Sequence, residues 1–167
     1  MFVFVRALTY STLFIGLLLV FLPGQLLARA GIAAPDVIGV TQGAGIAIAI
    51  AGGALAVSCI VSFALIGGGT PAPFDPPRRL VVRGPYAVVR NPMYIGAGLA
   101  LGGAAIFYES LALLSYDAAF ILVTHLFVVM YEEPTLRRLF GAEYESYCRR
   151  VGRWWPRRAK RARGGAG

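Results

Sequence analysis

Residues 37–66 read VIGVTQGAGIAIAIAGGALAVSCIVSFALI, and no charged side chain falls between Asp36 and Asp75. A helix needs roughly 20 apolar residues to cross a bilayer, so this stretch is long enough. The chain around it repeats the pattern. Nothing between Arg6 and Arg29 is charged, nor is anything in residues 91–108, and in residues 110–131 only Asp117 interrupts. Charged residues make up 14% of the 167-residue chain and hydrophobic ones 57%, whereas soluble domains carry about 25% charged residues. A soluble protein this short lacks the core to bury four such segments. The sequence therefore predicts an all-α, polytopic integral membrane protein of about four transmembrane helices. The segments fall near residues 5–27, 37–66, 92–108 and 110–131.

The basic residues set the orientation. Arg78, Arg79, Arg83 and Arg90 share one loop, and ten of the 16 Lys and Arg follow Glu133. By the positive-inside rule both regions are cytoplasmic. Four crossings then place both termini in the cytoplasm, with Arg29 a minor exception outside; a bacterial inner membrane is the expected location. Arg6, the apolar run and Ala28-Arg29-Ala30 imitate a signal peptide. The run is longer than a typical signal core and more spans follow, so it reads as a retained helix.

Punctuation divides the rest. Pro23-Gly24 predicts a bend in segment one. Segment two is rich in glycine and alanine, which lets helices approach closely in lipid. Gly67-Gly68-Gly69 ends it and lacks the lysine of a phosphate loop. Four prolines in residues 70–77 predict an ordered loop. Asn91-Pro92 opens segment three, which carries Gly96, Gly98, Gly102 and Gly103 on or near one face. Glu132-Glu133-Pro134 marks the next boundary. Beyond it Leu136, Leu139, Phe140, Tyr144, Tyr147 and Val151 recur at helical spacing, with Arg137, Arg138, Glu145 and Arg149 off that stripe. This predicts a C-terminal amphipathic helix on the membrane surface, ended by residues 152–156. Residues 1–156 read as one domain and 157–167 as a basic disordered tail that touches anionic lipid. No nucleic-acid-binding motif accompanies the tail. Cys59 and Cys148 form neither a disulfide framework nor a metal site, and no metal is expected.

Two polar clusters reach the membrane from one side. The first runs from Arg83 to Gly96; the second is Glu132-Glu133 and the stretch closing on Arg153-Trp154-Trp155-Pro156. If segments three and four form a hairpin, the clusters converge at its mouth. Carboxylates, arginines and aromatic faces there suit a ligand with both charges. Arg90 is a candidate to hold a carboxylate through paired hydrogen bonds. Negative charge at Glu132 and aromatic faces at Tyr86 and Tyr94 favour a cation. His125, seven residues before Glu132, lies on nearly the same helix face. Glu109 and Asp117 read as solvated ends of the outer turn.

The run Gly84-Pro85-Tyr86, Arg90-Asn91-Pro92-Met93-Tyr94-Ile95-Gly96, Glu132-Glu133, Leu136, Phe140-Gly141, Tyr144, Tyr147, Val151, Arg153-Trp154 and Pro156 resembles the isoprenylcysteine carboxyl methyltransferase and phospholipid methyltransferase superfamily. It is most similar to the short bacterial members, and the resemblance covers residues 71–156. It implies a membrane-embedded enzyme that uses S-adenosylmethionine to methylate a lipid-like acceptor (a carboxylate, thiol or amine) at the cytoplasmic face. Carried over, the cofactor residues are Leu80, Val81, Tyr86, Asn91, Pro92, Met93, Tyr94 and Glu132. Asn91 stands where many members have histidine, which keeps a hydrogen-bonding group and removes a titratable one. Glu132 and Arg90 are the candidate catalytic residues. Glu133, His125, Arg153 and Trp154 are candidates for substrate contact. No arginine or lysine lies within segments three and four to clamp an acceptor carboxylate, which favours an amine or neutral acceptor. The rival readings are a sterol-reductase-type enzyme with a nicotinamide cofactor and a non-catalytic membrane scaffold.

Overall fold

The computed structural model describes residues 16–62, 65 and 79–157. Residues 1–15, which include the first part of segment one, Gly67-Gly68-Gly69, the loop 70–77 and residues 158–167 of the tail lie outside the described residues. Among the described residues every regular element is helical, apart from an isolated parallel bridge between Val89 and Gly152.

A π-helical turn, Gly16–Phe21, runs into α1, Leu22–Arg29. Proline has no N–H and its ring clashes with the carbonyl four residues back. The ladder widens into a π turn immediately before Pro23 to avoid both problems. The same event recurs below at Pro134.

α2, Val40–Ser62, lies antiparallel against α3, Pro92–Phe107. Their backbones touch because glycines face one another. A Cβ on Gly52 would sit 2.5 Å from the Gly96 carbonyl oxygen, and one on Gly103 would sit 2.5 Å from the Ala49 nitrogen. Gly45 meets the backbone of Gly103 and Phe107 in the same way. Gly43 and Gly53 have open space at that position. The glycines of α3 serve two faces, not the one expected. Gly96 and Gly103, seven apart, meet α2; Gly98 and Gly102, four apart, meet α4.

Residues 108–110 turn the chain into α4, Leu111–Phe127. Glu109 adopts φ 48° at this turn, and the Ser110 hydroxyl caps the helix by accepting from the Leu113 N–H. Gln42 of α2 donates to Glu109 at 3.0 Å and ties the turn to the start of α2. Asp117 departs from expectation. It is no solvated end: it is buried, and its carboxyl fills the notch that Gly98 and Gly102 leave in α3.

The helical run then continues without a break. α4 passes through a second π turn, Val128–Glu132, into α5, Glu133–Arg150. The boundary expected at Pro134 is thus a change of helix pitch. The interruption comes later, at Gly141, whose φ of 47° and ψ of −121° suit only glycine. The apolar stripe of α5 also differs from expectation. Tyr144, Tyr147 and Val151 are buried, with Leu136, Phe140, Leu80, Val82 and Cys148 around them. The segment before α3 covers the stripe, held by the Tyr147 hydroxyl donating to the Tyr86 carbonyl at 2.6 Å. Leu139 falls off this face and is exposed.

α2 and the run Leu111–Arg150 are long and apolar enough to cross a bilayer, and only 17% and 28% of their apolar windows are buried. Gly16–Arg29 and Pro92–Phe107 are shorter apolar helices. Ile50, Val57, Ile121, Leu122 and Val123 lie exposed along α2 and α4. Exposed apolar surface of this extent marks contact with a membrane or another protein.

Candidate functional site

A cavity opens where α3 begins and α4 gives way to α5. Leu80, Val81, Tyr86, Arg90, Asn91, Glu132, Glu133, Leu136, Tyr144 and Tyr147 line it. The segment before α3 supplies one wall, the π turn a second and α5 the third.

The π turn divides the work of two adjacent glutamates. Glu132 turns toward α3, where the Tyr94 hydroxyl donates to its Oε2 at 3.1 Å. Glu133 turns toward the C-terminal segment. Arg153 donates to it through both arms of its guanidinium, Nε to Oε1 at 2.6 Å and Nη2 to Oε2 at 2.9 Å. Arg90 pairs with Oε1 at 3.2 Å, and Arg137 lies 4.0 Å away. The two carboxyls, just beyond the apolar run that ends at Tyr131, shift in opposite directions. Burial pushes Glu132 above the ordinary glutamate value; the Tyr94 hydrogen bond opposes this and the charge of Glu133 adds to it. Burial would also raise Glu133, but the Arg153 hydrogen bonds and the charges of Arg90, Arg153 and Arg137 together hold it below that value.

Arg90 is nearly enclosed. Its Nη1 donates to the Tyr144 hydroxyl at 3.2 Å and to Cys148 Sγ at 2.7 Å. Its guanidinium carbon lies 6.0 Å from the Tyr144 ring centroid, a cation–π distance. Its Nε is buried and has no hydrogen-bond partner among the described residues. A buried donor without a partner is costly, and this one belongs to a residue that lines the cavity.

Asn91 precedes α3 without capping it. Its buried side chain instead donates to the Arg153 carbonyl at 3.2 Å. The Arg90 N–H donates to the Gly152 carbonyl at 2.9 Å beside the Val89–Gly152 bridge. The C-terminal segment is thereby strapped across the start of α3. Trp154, the next residue along, donates from Nε1 to His125 Nδ1 at 3.0 Å.

Of the residues singled out from the sequence, Leu80, Val81, Tyr86, Arg90, Asn91, Glu132 and Glu133 line the cavity together. Tyr94 stands behind Glu132. Pro92 is fully buried at the start of α3, and Met93 packs beneath the cavity on Cys59, Val81 and Tyr86. Arg153 and Trp154 belong to the strap. His125 meets the strap through Trp154, and the neighbouring Arg153 of the same strap holds Glu133. Leu136, Tyr144 and Tyr147 enter the cavity wall although the sequence presented them as one apolar stripe. Their signal was the two phenol hydroxyls, three residues apart, on the buried face of a helix.

A family model described as phospholipid methyltransferase matches residues 40–143. The match takes in α2, which the sequence resemblance did not reach, and ends before the strap. No curated protein and no solved structure matches the chain.

Proposed function

The chain belongs to the phospholipid methyltransferase family, a methyltransferase family, and from that premise we propose a membrane-embedded enzyme that uses S-adenosylmethionine to methylate an amphiphilic acceptor, an amine before a carboxylate or thiol. The observation that carries the proposal is one cavity lined by groups of both charges. Glu132 and the Tyr86 ring line it, with Tyr94 behind Glu132; Arg90 lines it beside its partner Glu133, with a buried Nε–H that no described residue accepts from. S-adenosylmethionine supplies a methyl group on a cationic sulfur and carries a carboxylate of its own. The donor set fits both ends. The Arg90 guanidinium, which lines the cavity and keeps one N–H without a partner among the described residues, offers the charge a carboxylate wants, and a buried carboxylate beside tyrosine rings favours the cation. Leu80, Val81, Asn91 and the floor formed by Pro92 and Met93 complete the pocket.

Glu132 has a second part. An amine acceptor must lose a proton to be methylated. A glutamate raised above its ordinary value by burial is a better base than a free one, and Tyr94 holds it in place. Glu133 and Arg153 contribute position: they fix Arg90 and close the strap. Positioning of two bound reactants can lower a barrier by about 7–11 kcal/mol in the best cases.

The acceptor's tail lies in the bilayer and its head at the cavity mouth. The segment ending in α1, together with α2, α3 and α4, makes four crossings in this reading, with both chain ends and the cavity in the cytoplasm. Residues 1–156 form the enzyme unit, and the basic tail rests on anionic lipid of the bacterial inner membrane.

Calorimetry on detergent-purified full-length protein is the first test. S-adenosylmethionine binds the wild type and is lost from Glu132→Ala and Tyr94→Ala. A well-folded wild type that fails to bind near millimolar cofactor overturns the proposal. Labelled methyl transfer into amine and carboxylate lipids then separates the acceptor classes.

A further inference from the structure

His125 is the chain's one histidine. It sits in α4, eight residues before Glu133, so about 12 Å along the helix axis from the charged cluster. Its Nδ1 accepts from Trp154 Nε1–H at 3.0 Å. An indole can only donate, so Nδ1 must be the unprotonated nitrogen, and the neutral ring carries its hydrogen on Nε2. Among the described residues Nε2 has no hydrogen-bond partner. The ring is half-buried, and its helix neighbours Leu122, Leu126 and Val129 are exposed. A fixed N–H donor therefore faces an apolar solvent, where an unmet donor is costly.

Resting on the reading of this chain as a lipid methyltransferase, we propose that His125 Nε2–H binds the ester carbonyl of an acyl glycerolipid whose polar head lies at the cavity. Depth decides the chemistry of the ligand. A charged headgroup belongs with Glu132, Glu133 and the arginines. One layer deeper, between headgroups and hydrocarbon, the acceptors that a glycerolipid offers are its ester oxygens. Trp154 sets the tautomer that presents the donor and meets the ring at its Nδ1 edge, their centroids 5.9 Å apart. Residues 153 and 154 thus link the two depths: Arg153 holds Glu133 and Trp154 holds His125. The site selects acyl-ester lipids over ethers of the same headgroup.

The test uses full-length protein in detergent carrying Trp155→Phe. Trp155 is 82% exposed, and its replacement leaves Trp154 as the sole tryptophan of the two. Trp154 emission is followed while dioleoyl glycerophosphoethanolamine or its dialkyl ether is titrated in. The ester binds about three- to tenfold more tightly, the weight of one hydrogen bond. His125→Asn puts an amide oxygen near the Nδ1 position, keeps the Trp154 bond, and loses the preference. His125→Gln puts an amide N–H near the Nε2 position and keeps it. Equal binding of the two lipids, or a preference that survives His125→Asn, overturns the proposal. A preference without cofactor binding or methyl transfer sinks the enzyme reading alone. Methyl transfer without a preference sinks this inference alone.

Discussion

Replacing Glu133 by glutamine tests the division of labour between the two glutamates. The carboxylate is the shared partner of Arg90 and Arg153; the Arg90 side chain is only 10% exposed and Glu133 only 6%. Removing one member of a buried ion pair leaves an uncompensated charge and costs about 3–5 kcal/mol. Arg153, 33% exposed, reaches solvent, and its share of the loss is about 1 kcal/mol or less. For a chain of this size 1 kcal/mol moves the melting temperature by roughly 2–4 °C, so Glu133→Gln in detergent melts about 10 °C below wild type. Glu132→Gln gives the opposite pattern. Glutamine still offers Tyr94 an acceptor oxygen and is less costly to bury than a carboxylate, so the melt stays within about 2 °C of wild type while cofactor affinity falls about tenfold or more. Thermal melts followed by a thiol-reactive dye, with calorimetry beside them, read both quantities. The reasoning fails if Glu133→Gln melts with the wild type, or if Glu132→Gln is the variant that unfolds.

Other outcomes follow from the same geometry. Glu133 is held below the ordinary glutamate value of 4.5, so the stability it contributes is present above about pH 4.5 and disappears as the pH falls further; Glu133→Gln flattens the acid limb of a melting-temperature profile. Glu132 is raised instead, so methyl transfer to an amine rises with pH through a value above 4.5, and Glu132→Gln removes that limb from kcat/KM. Tyr94→Phe leaves the buried Glu132 without the Tyr94 hydrogen bond and costs about 1.5–3 kcal/mol of stability, read as a lower melting temperature, with weaker cofactor binding by calorimetry beside it. A methyl group at Gly52 has no room, its Cβ falling 2.5 Å from the Gly96 carbonyl oxygen. Gly52→Ala therefore costs about 1–3 kcal/mol or more by forcing α2 from α3, whereas Gly53→Ala, facing open space, leaves the melt unchanged.

The sequence alone determined the helical class, the presence of helices apolar enough for lipid, and the neighbourhood of the site. Long runs without charge can be satisfied by helices in lipid, and a hairpin of residues 92–131 must bring Arg90 and Glu132 to the same end. These conclusions need only hydropathy, punctuation and residue order, each a property of the linear chain. The tertiary structure decided which side chain meets which. Glu132 and Glu133 are adjacent and chemically identical, yet one faces Tyr94 and the other two arginines. Asp117 read as a solvated end and lies buried in a glycine notch; the apolar stripe of α5 read as a membrane face and is covered by the chain's own loop. His125 is tied by Trp154 to the strap that holds Glu133 through Arg153, a partnership that residue order did not show. The physical reason is rotation about the helix axis. Partners on a helix are set by phase, and the π turns before Pro23 and Pro134, with the break at Gly141, change the phase by amounts that a regular 3.6-residue period does not carry. The glycine contacts between α2 and α3 set how closely the backbones approach, and the strap of residues 151–155 reaches back across more than sixty residues of chain to Val89, Arg90 and Asn91.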